Sequence, residues 1–217
     1  MSSISQKNIA HYDQNAISYH EGTIDHDVSQ NINALINAIN SEHPLHILDF
    51  GCGPGRDLLT FQNLGHVAIG LEGSSRAAQL ARVNSGCEVL VQDFLNLHLP
   101  KDYFDGIFAH ASLFHVPNQH LPKVLYDLWL SLKPNGILFS SNPRGNNEEQ
   151  WIGDRFGSYH DLDGWRSFMA KADFIEIEHY YRPSGLSFEK QPWLASVWRK
   201  LICSRGSKLT YQSQILT

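Results

Sequence analysis

The 217-residue chain is predicted to fold as one α/β domain, a mostly parallel seven-stranded sheet flanked by helices. Three observations carry that expectation. From Pro44 onward, apolar runs of strand length alternate with amphipathic segments of helical length. The first run, ending at Phe50, leads straight into glycines at alternate positions, Gly51, Gly53 and Gly55. Acids close the next two runs, at Glu72 and Asp93. A glycine turn at the carboxyl end of a buried parallel strand marks the crevice where open α/β sheets bind ligands.

Residues 4–40 precede the first strand and read as two helices. Ile4, Ile9, Tyr12, Ala16 and Tyr19 recur at helical spacing. A second helix starts near Asp25 to Ser29, with Val28, Ile32, Leu35, Ile36 and Ile39 on one face. Tyr19 to Thr23 reads as a polar joint between them. The expected division is a helical lid over residues 1–43 and a Rossmann-like core over 44–217. The core strands are read at His46 to Phe50, Val67 to Glu72, Cys87 to Gln92, Phe104 to Ala109 and Ile137 to Ser141. Phe174 to Tyr181 and Leu194 to Lys200 close the sheet as antiparallel strands. Helices are read at Arg56 to Leu64, Ser75 to Asn84 with Ser74 as N-cap, Pro122 to Leu132 and Trp165 to Ala172. Lys133 to Gly136 reads as a turn.

Composition removes several functions. A formal net charge of −5 with scattered Lys and Arg offers no footprint for nucleic acid. No apolar run is long enough to span a membrane, and the N-terminus has no apolar signal region. Cys52, Cys87 and Cys203 are widely spaced, so reduced thiols in a cytoplasmic protein are expected. Cys52 reads as a small packing residue. His110, His115 and His120 lie five apart and share no helical face, so no metal site is expected. Ser112 lacks the Gly-x-Ser-x-Gly context of a hydrolase nucleophile.

The glycine loop separates two classes of ligand. A dinucleotide fingerprint needs Gly-x-Gly-x-x-Gly, but Arg56 holds the third glycine's place and Gly55 comes one early. With Asp49 in front, the pattern is Asp-x-Gly-x-Gly-x-Gly. That resembles the first motif of the class I S-adenosylmethionine (SAM) methyltransferases. The resemblance implies Glu72 on the ribose hydroxyls, Asp93 on the adenine amino group and Phe94 against the ring. It also brings Gly73, Ser74, His110 and Ala111, with the lid tyrosines Tyr12 and Tyr19, to the cofactor. A nicotinamide oxidoreductase and a non-catalytic SAM-fold subunit are the competing classes. The first is disfavoured by Arg56, the second by the intact loop and acids.

For chemistry, a nitrogen nucleophile must present a free lone pair, so a base is needed to take a proton. His115 is the candidate because it follows the fourth strand, although any single histidine can equally be a hydrogen-bonded structural residue. Arg144, just after the fifth strand, is placed to clamp a substrate carboxylate. Asn142, Trp151, Arg155, Tyr159 and His160 read as a polar, aromatic loop suited to a small, flat, charged substrate, and Asn142, Tyr159 and His160, with Tyr12 and His115, complete the expected substrate set.

Several further stretches sharpen the resemblance: HYDQNAISYHEGTIDHDVSQNI (11–32), ILDFGCGPGRDL (47–58), FDGIFAHASLFHVP (104–117), FSSNPRGNNEE (139–149), YHDLDGWR (159–166), YYRPSGL (180–186) and QPWLASVWRK (191–200). Through them the chain is similar, nearly end to end, to the C-terminal methyltransferase domain of ovothiol synthase and its stand-alone relatives. That resemblance implies methyl transfer from SAM to the ring nitrogen Nπ of 5-thiohistidine, giving ovothiol A. The family's long form carries an iron-dependent sulfoxide synthase ahead of this domain. Because the chain starts at Met1, just before the matching block, a separate sulfoxide synthase is expected to supply the thiohistidine. Another small amine, thiol or carboxylate remains the alternative substrate.

Overall fold

A computed structural model describes residues 3–201. The main sheet has seven strands: β1 (His46–Phe50), β2 (Val67–Glu72), β3 (Glu88–Val91), β4 (Phe104–His110), β5 (Leu132–Pro143), β8 (Phe174–Arg182) and β9 (Trp193–Lys200). A separate ribbon is made by β6 (Glu148–Ile152) and β7 (Arg155–Tyr159). The sheet order is β3-β2-β1-β4-β5-β9-β8. The first five strands run parallel, and β9 pairs antiparallel with both β5 and β8. Strand order reverses between β1 and β4, which is where a ligand crevice opens in such sheets.

Helices cover both faces because each parallel strand is apolar on both sides. On one face α3 (Ser29–Ala38), α4 (Arg56–Asn63) and α5 (Ser75–Ser85) bury Ile32, Leu35, Leu58, Phe61, Ala78 and Ala81 against Ile47, Phe108 and Phe139. On the other, α6 (Leu121–Ser131) and α7 (Leu162–Lys171) bury Leu125, Leu128, Trp165 and Met169 against Leu48, Ile107 and Leu138. Ser74 caps α5, its hydroxyl accepting from the Ala77 amide. No helix among the described residues is long and apolar enough to cross a membrane. Cys52 and Cys87 are free thiols; Cys203 lies outside the described residues.

Three expectations are corrected. The N-terminal segment holds three helices, with α1 (Ser3–Gln14) and α2 (Ala16–Thr23) ahead of α3. Tyr19 to Thr23 is therefore helix and not a joint. A single glycine costs a helix only about 1 kcal/mol, and the buried Ala16 anchors this one. The chain instead turns at Asn15 and after Thr23. Second, β5 starts at Leu132, so Lys133 to Gly136 is a bulge inside the strand, where the register against β4 shifts between Phe104 and Gly106. Third, residues 148–159 form a hairpin, where sequence reading placed a polar, aromatic loop. Ile152 pairs with Arg155 across Gly153-Asp154, and Gly153 has φ +60°. A glycine at the first position of a two-residue turn suits the twist of a hairpin.

Candidate active site

The ends of β1, β2, β3 and β4 line a cleft that α1 covers from above. Its floor is the glycine loop. A Cβ on Gly51 would stand 2.5 Å from that of Ser112 and 3.1 Å from the Phe94 ring, so the strand ends approach this closely only with glycine there. Gly55 does a different job. It has φ +92°, and a Cβ would fall 2.7 Å from the Ala81 backbone, so it lets α4 and α5 touch. That is the packing role of the third glycine in a dinucleotide loop, achieved one position earlier.

Two acids define the base of the cleft. Glu72 accepts from the amides of Gly53 (3.0 Å) and Ser74 (2.8 Å), tying the two loops together. Burial pushes its carboxyl pKa up while these amides oppose the shift. Asp93 accepts from the Leu95 amide with one oxygen, and its buried Oδ2 has no partner. Asp49 lies beneath the loop at 2% exposure, also with an unpartnered Oδ2. Burial, then the charge of Asp57, holds its pKa well above the ordinary carboxylate value. Phe94 lines the wall, its ring tilted 31° against that of Phe50 with centroids 4.3 Å apart.

The roof comes from α1. Asp13 accepts from the Ser74 hydroxyl (2.8 Å) and the Arg76 amide (2.9 Å), fastening α1 to the start of α5. Ile9 fills the space over Gly73, where a Cβ would come within 2.9 Å. Asn8 pairs with the Phe156 backbone through both amide atoms, Oδ1 accepting at 2.8 Å and Nδ2 donating at 3.2 Å. The ribbon and α1 thus close one wall together.

At the inner end, His115 is held on both sides. The Phe156 carbonyl lies 2.7 Å from Nδ1, and a carbonyl can only accept, so Nδ1 carries the proton. Nε2 then has a free lone pair, which accepts from the Tyr12 hydroxyl at 2.7 Å. Burial drives the imidazole pKa down to about 4 despite the Phe156 carbonyl, and burial raises Tyr12 to about 12. Both groups are neutral near pH 7.

The expected residues divide accordingly. Tyr12, Tyr19, Gly51, Gly53, Glu72, Gly73, Asp93, Phe94, Ala111 and His115 all line the cleft. Asp49, Gly55 and Ser74 support it from behind. His110 turns toward α3, where Nδ1 accepts from Asn31 at 3.1 Å, and burial lowers its pKa to about 4. Arg144 is corrected as the carboxylate clamp: its guanidinium donates to the Phe188 carbonyl at 2.7 Å and lies 3.5 Å from that ring's centroid. His160 faces away, bonded to Asn118 and packed beside Trp165 and Phe168. Asn142 is buried below the surface, its Oδ1 without a partner. Tyr159 stands outside the cleft, reaching it only through Phe114 at 6.0 Å. Sequence reading missed Asn8, Asp13, Ser112 and the Phe156 carbonyl. Of these, only the Gly153-Asp154 turn, which places Phe156, left a sequence signal.

Comparison with known proteins agrees with this geometry. Residues 47–136 match the family described as "Methyltransferase domain". The chain is 24% identical over 111 residues to the sterol 24-C-methyltransferase erg6 of Aspergillus fumigatus, an alignment covering 48% of this chain and 29% of that one. It is 27% identical over 99 residues to the sterol 4-C-methyltransferase strm-1 of Caenorhabditis elegans, covering 42% and 29%. The chain thus spans under a third of the length of these relatives. Among solved structures, it superposes on the 1,6-didemethyltoxoflavin-N1-methyltransferase of Burkholderia thailandensis with TM-score 0.66 and 19% identity, covering 93% and 92%. That structure holds 1,6-didemethyltoxoflavin and S-adenosylhomocysteine.

The fold is that of the class I SAM-dependent methyltransferases, and residues 47–136 match a methyltransferase domain. The cleft fits that cofactor. It offers an unpartnered buried carboxylate oxygen at Asp93 and an unpartnered hydroxyl at Ser112, beside a side-chain-free floor at Gly51 and Gly53.

Proposed function

We propose that this protein methylates the Nπ ring nitrogen of 5-thiohistidine, giving ovothiol A, in the cytoplasm. The observation that carries the reading is the neutral Tyr12–His115 pair at the inner end of the cleft. A small aromatic heterocycle needs a flat wall and a group that takes a proton from its ring, and the rings of this pair supply both. The 1,6-didemethyltoxoflavin-N1-methyltransferase from B. thailandensis, on the same fold, supports it as a neighbour in kind.

Glu72 would hold the ribose hydroxyls, and Asp93 Oδ2 the adenine amino group beside Phe94. The bound sulfonium supplies a methyl carbon that is displaced in line from a good leaving group. The rest is the chain's work. Tyr12, Tyr19 and Ile9 exclude water from above, which raises the reactivity of a nitrogen lone pair. The walls hold the substrate ring in one orientation, converting an encounter into an effectively unimolecular step. His115 Nε2 takes up the released proton through the Tyr12 hydroxyl, while Nδ1–H stays on the Phe156 carbonyl. Helices α1 and α2 act as the lid, latched by Asp13, while α3 belongs to the core. A sulfoxide synthase would supply the thiohistidine.

Calorimetry with S-adenosylhomocysteine, followed by 5-thiohistidine or histidine, tests the reading. It predicts that the loaded protein binds 5-thiohistidine more tightly than histidine. Equal affinity for the two would remove thiohistidine as substrate, and a screen of small amines, thiols and carboxylates would follow.

A further inference from the structure

With Arg144 turned away, the cleft described above has no obvious partner for a substrate carboxylate, and the ribbon provides one. Rings run from the glycine loop outward in a continuous ladder. Tyr19 meets Tyr12 at 5.5 Å between centroids, Tyr12 meets His115 at 5.3 Å, His115 meets Phe114 at 3.9 Å, and Phe114 meets Tyr159 at 6.0 Å. Side chains alternate along a strand, so residues 155, 157 and 159 share one face of β7. Gly157 leaves that face bare, and the Tyr159 ring lies down over it: a Cβ there would be 2.7 Å from the Tyr159 hydroxyl. The hydroxyl therefore points along the strand toward Arg155.

Arg155 is half-buried. Arg56 and Arg166 each pair with a carboxylate, whereas no carboxylate among the described residues lies within 4.0 Å of Arg155. It donates a hydrogen bond to the Tyr12 hydroxyl, and its charge reaches four of the five rings in the ladder, acting to lower the pKa of Tyr12, Tyr19, His115 and Tyr159. A guanidinium partly removed from water, facing aromatic walls and lacking an anion, is poised for one. The neighbouring residue sets its position: Phe156 is pinned by Asn8 on one side and His115 on the other.

We infer that Arg155, carried on the β6–β7 ribbon, binds the carboxylate of an amino-acid substrate whose ring lies along the Tyr12–His115 wall. This assignment rests on the substrate reading above and gives the ribbon a function, that of selecting anionic substrates.

The test compares 5-thiohistidine with its carboxamide, which keeps the ring and loses the charge, as substrates of the wild type, R155A and R155K. The wild type should favour the acid by roughly 10- to 100-fold in kcat/KM, the worth of a charge-assisted hydrogen bond. R155A should lose that preference with S-adenosylhomocysteine affinity unchanged, and R155K should keep part of it. Equal use of acid and amide by the wild type, or a preference that survives in R155A, overturns the assignment and leaves the substrate reading intact. Failure of the wild type to methylate either compound overturns both. If R155A does not bind S-adenosylhomocysteine, the comparison of R155K with wild type decides in the same way.

Discussion

The hydroxyl of Tyr12, on the first helix, donates to Nε2 of His115 at 2.7 Å, across a separation of 103 residues. The bond ties the roof of the cleft to the segment after β4. Phenylalanine at position 12 keeps the ring contacts and removes the bond. Tyr12→Phe should lower stability by about 0.5–1.5 kcal/mol, measured by denaturant unfolding. It should also lower kcat more than it raises the KM for SAM, because it removes the proton route and spares the glycine loop. A loss confined to cofactor binding would contradict the role given to this pair.

Burial holds His115 at about 4, against about 6.5 for an unfolded imidazole. The folded value is the lower one, so the unfolded chain binds more protons between them. His115's contribution is therefore fully present above pH 6.5 and is lost as pH falls toward 4. His115→Gln should lose less stability than the wild type between pH 7.5 and 5, by ~1–3 kcal/mol. Asp49 and Glu72, whose raised values act with the opposite sign, are common to both proteins and cancel in the difference. Parallel pH profiles for the two proteins would contradict the depressed value.

Glu72 accepts two backbone amides from the loops it bridges. Glutamine there keeps the shape, but its amide oxygen can serve only one of them. Glu72→Gln should weaken S-adenosylhomocysteine binding by ~1–3 kcal/mol, read by calorimetry. Unchanged affinity would remove Glu72 from the cofactor site.

Asn8→Ala leaves the Phe156 amide without its acceptor. A cost of ~1–3 kcal/mol is expected, with faster hydrogen exchange at the Phe156 amide. Unaltered exchange there would mean that the ribbon does not depend on α1 for its position.

Much of this arrangement was legible beforehand, for physical reasons. Buried parallel strands are continuous apolar runs, so β1 and β2 were read with the bounds the structure shows, and the Asp-x-Gly-x-Gly-x-Gly loop located the crevice. What was misread depends on packing that local sequence does not record. Tyr19 to Thr23 is helical because Ala16 is buried, and that burial comes from tertiary contact. Arg144 was placed by its position after β5, yet a side chain of that length reaches several partners, and the Phe188 carbonyl and ring hold it. Sequence gives Arg155 only as one polar residue of a loop, because the alternation that sets it beside Tyr159 belongs to a strand that local sequence does not announce. The Gly153-Asp154 turn was the available clue.

The most direct test is transfer itself. Purified protein would be incubated with SAM carrying a deuterated methyl group and 5-thiohistidine, with histidine as control, and the products fragmented by mass spectrometry. The account predicts one labelled methyl on thiohistidine, located on the ring nitrogen Nπ, and none on histidine. Label on the sulfur or the amino group, or equal labelling of histidine, would contradict it.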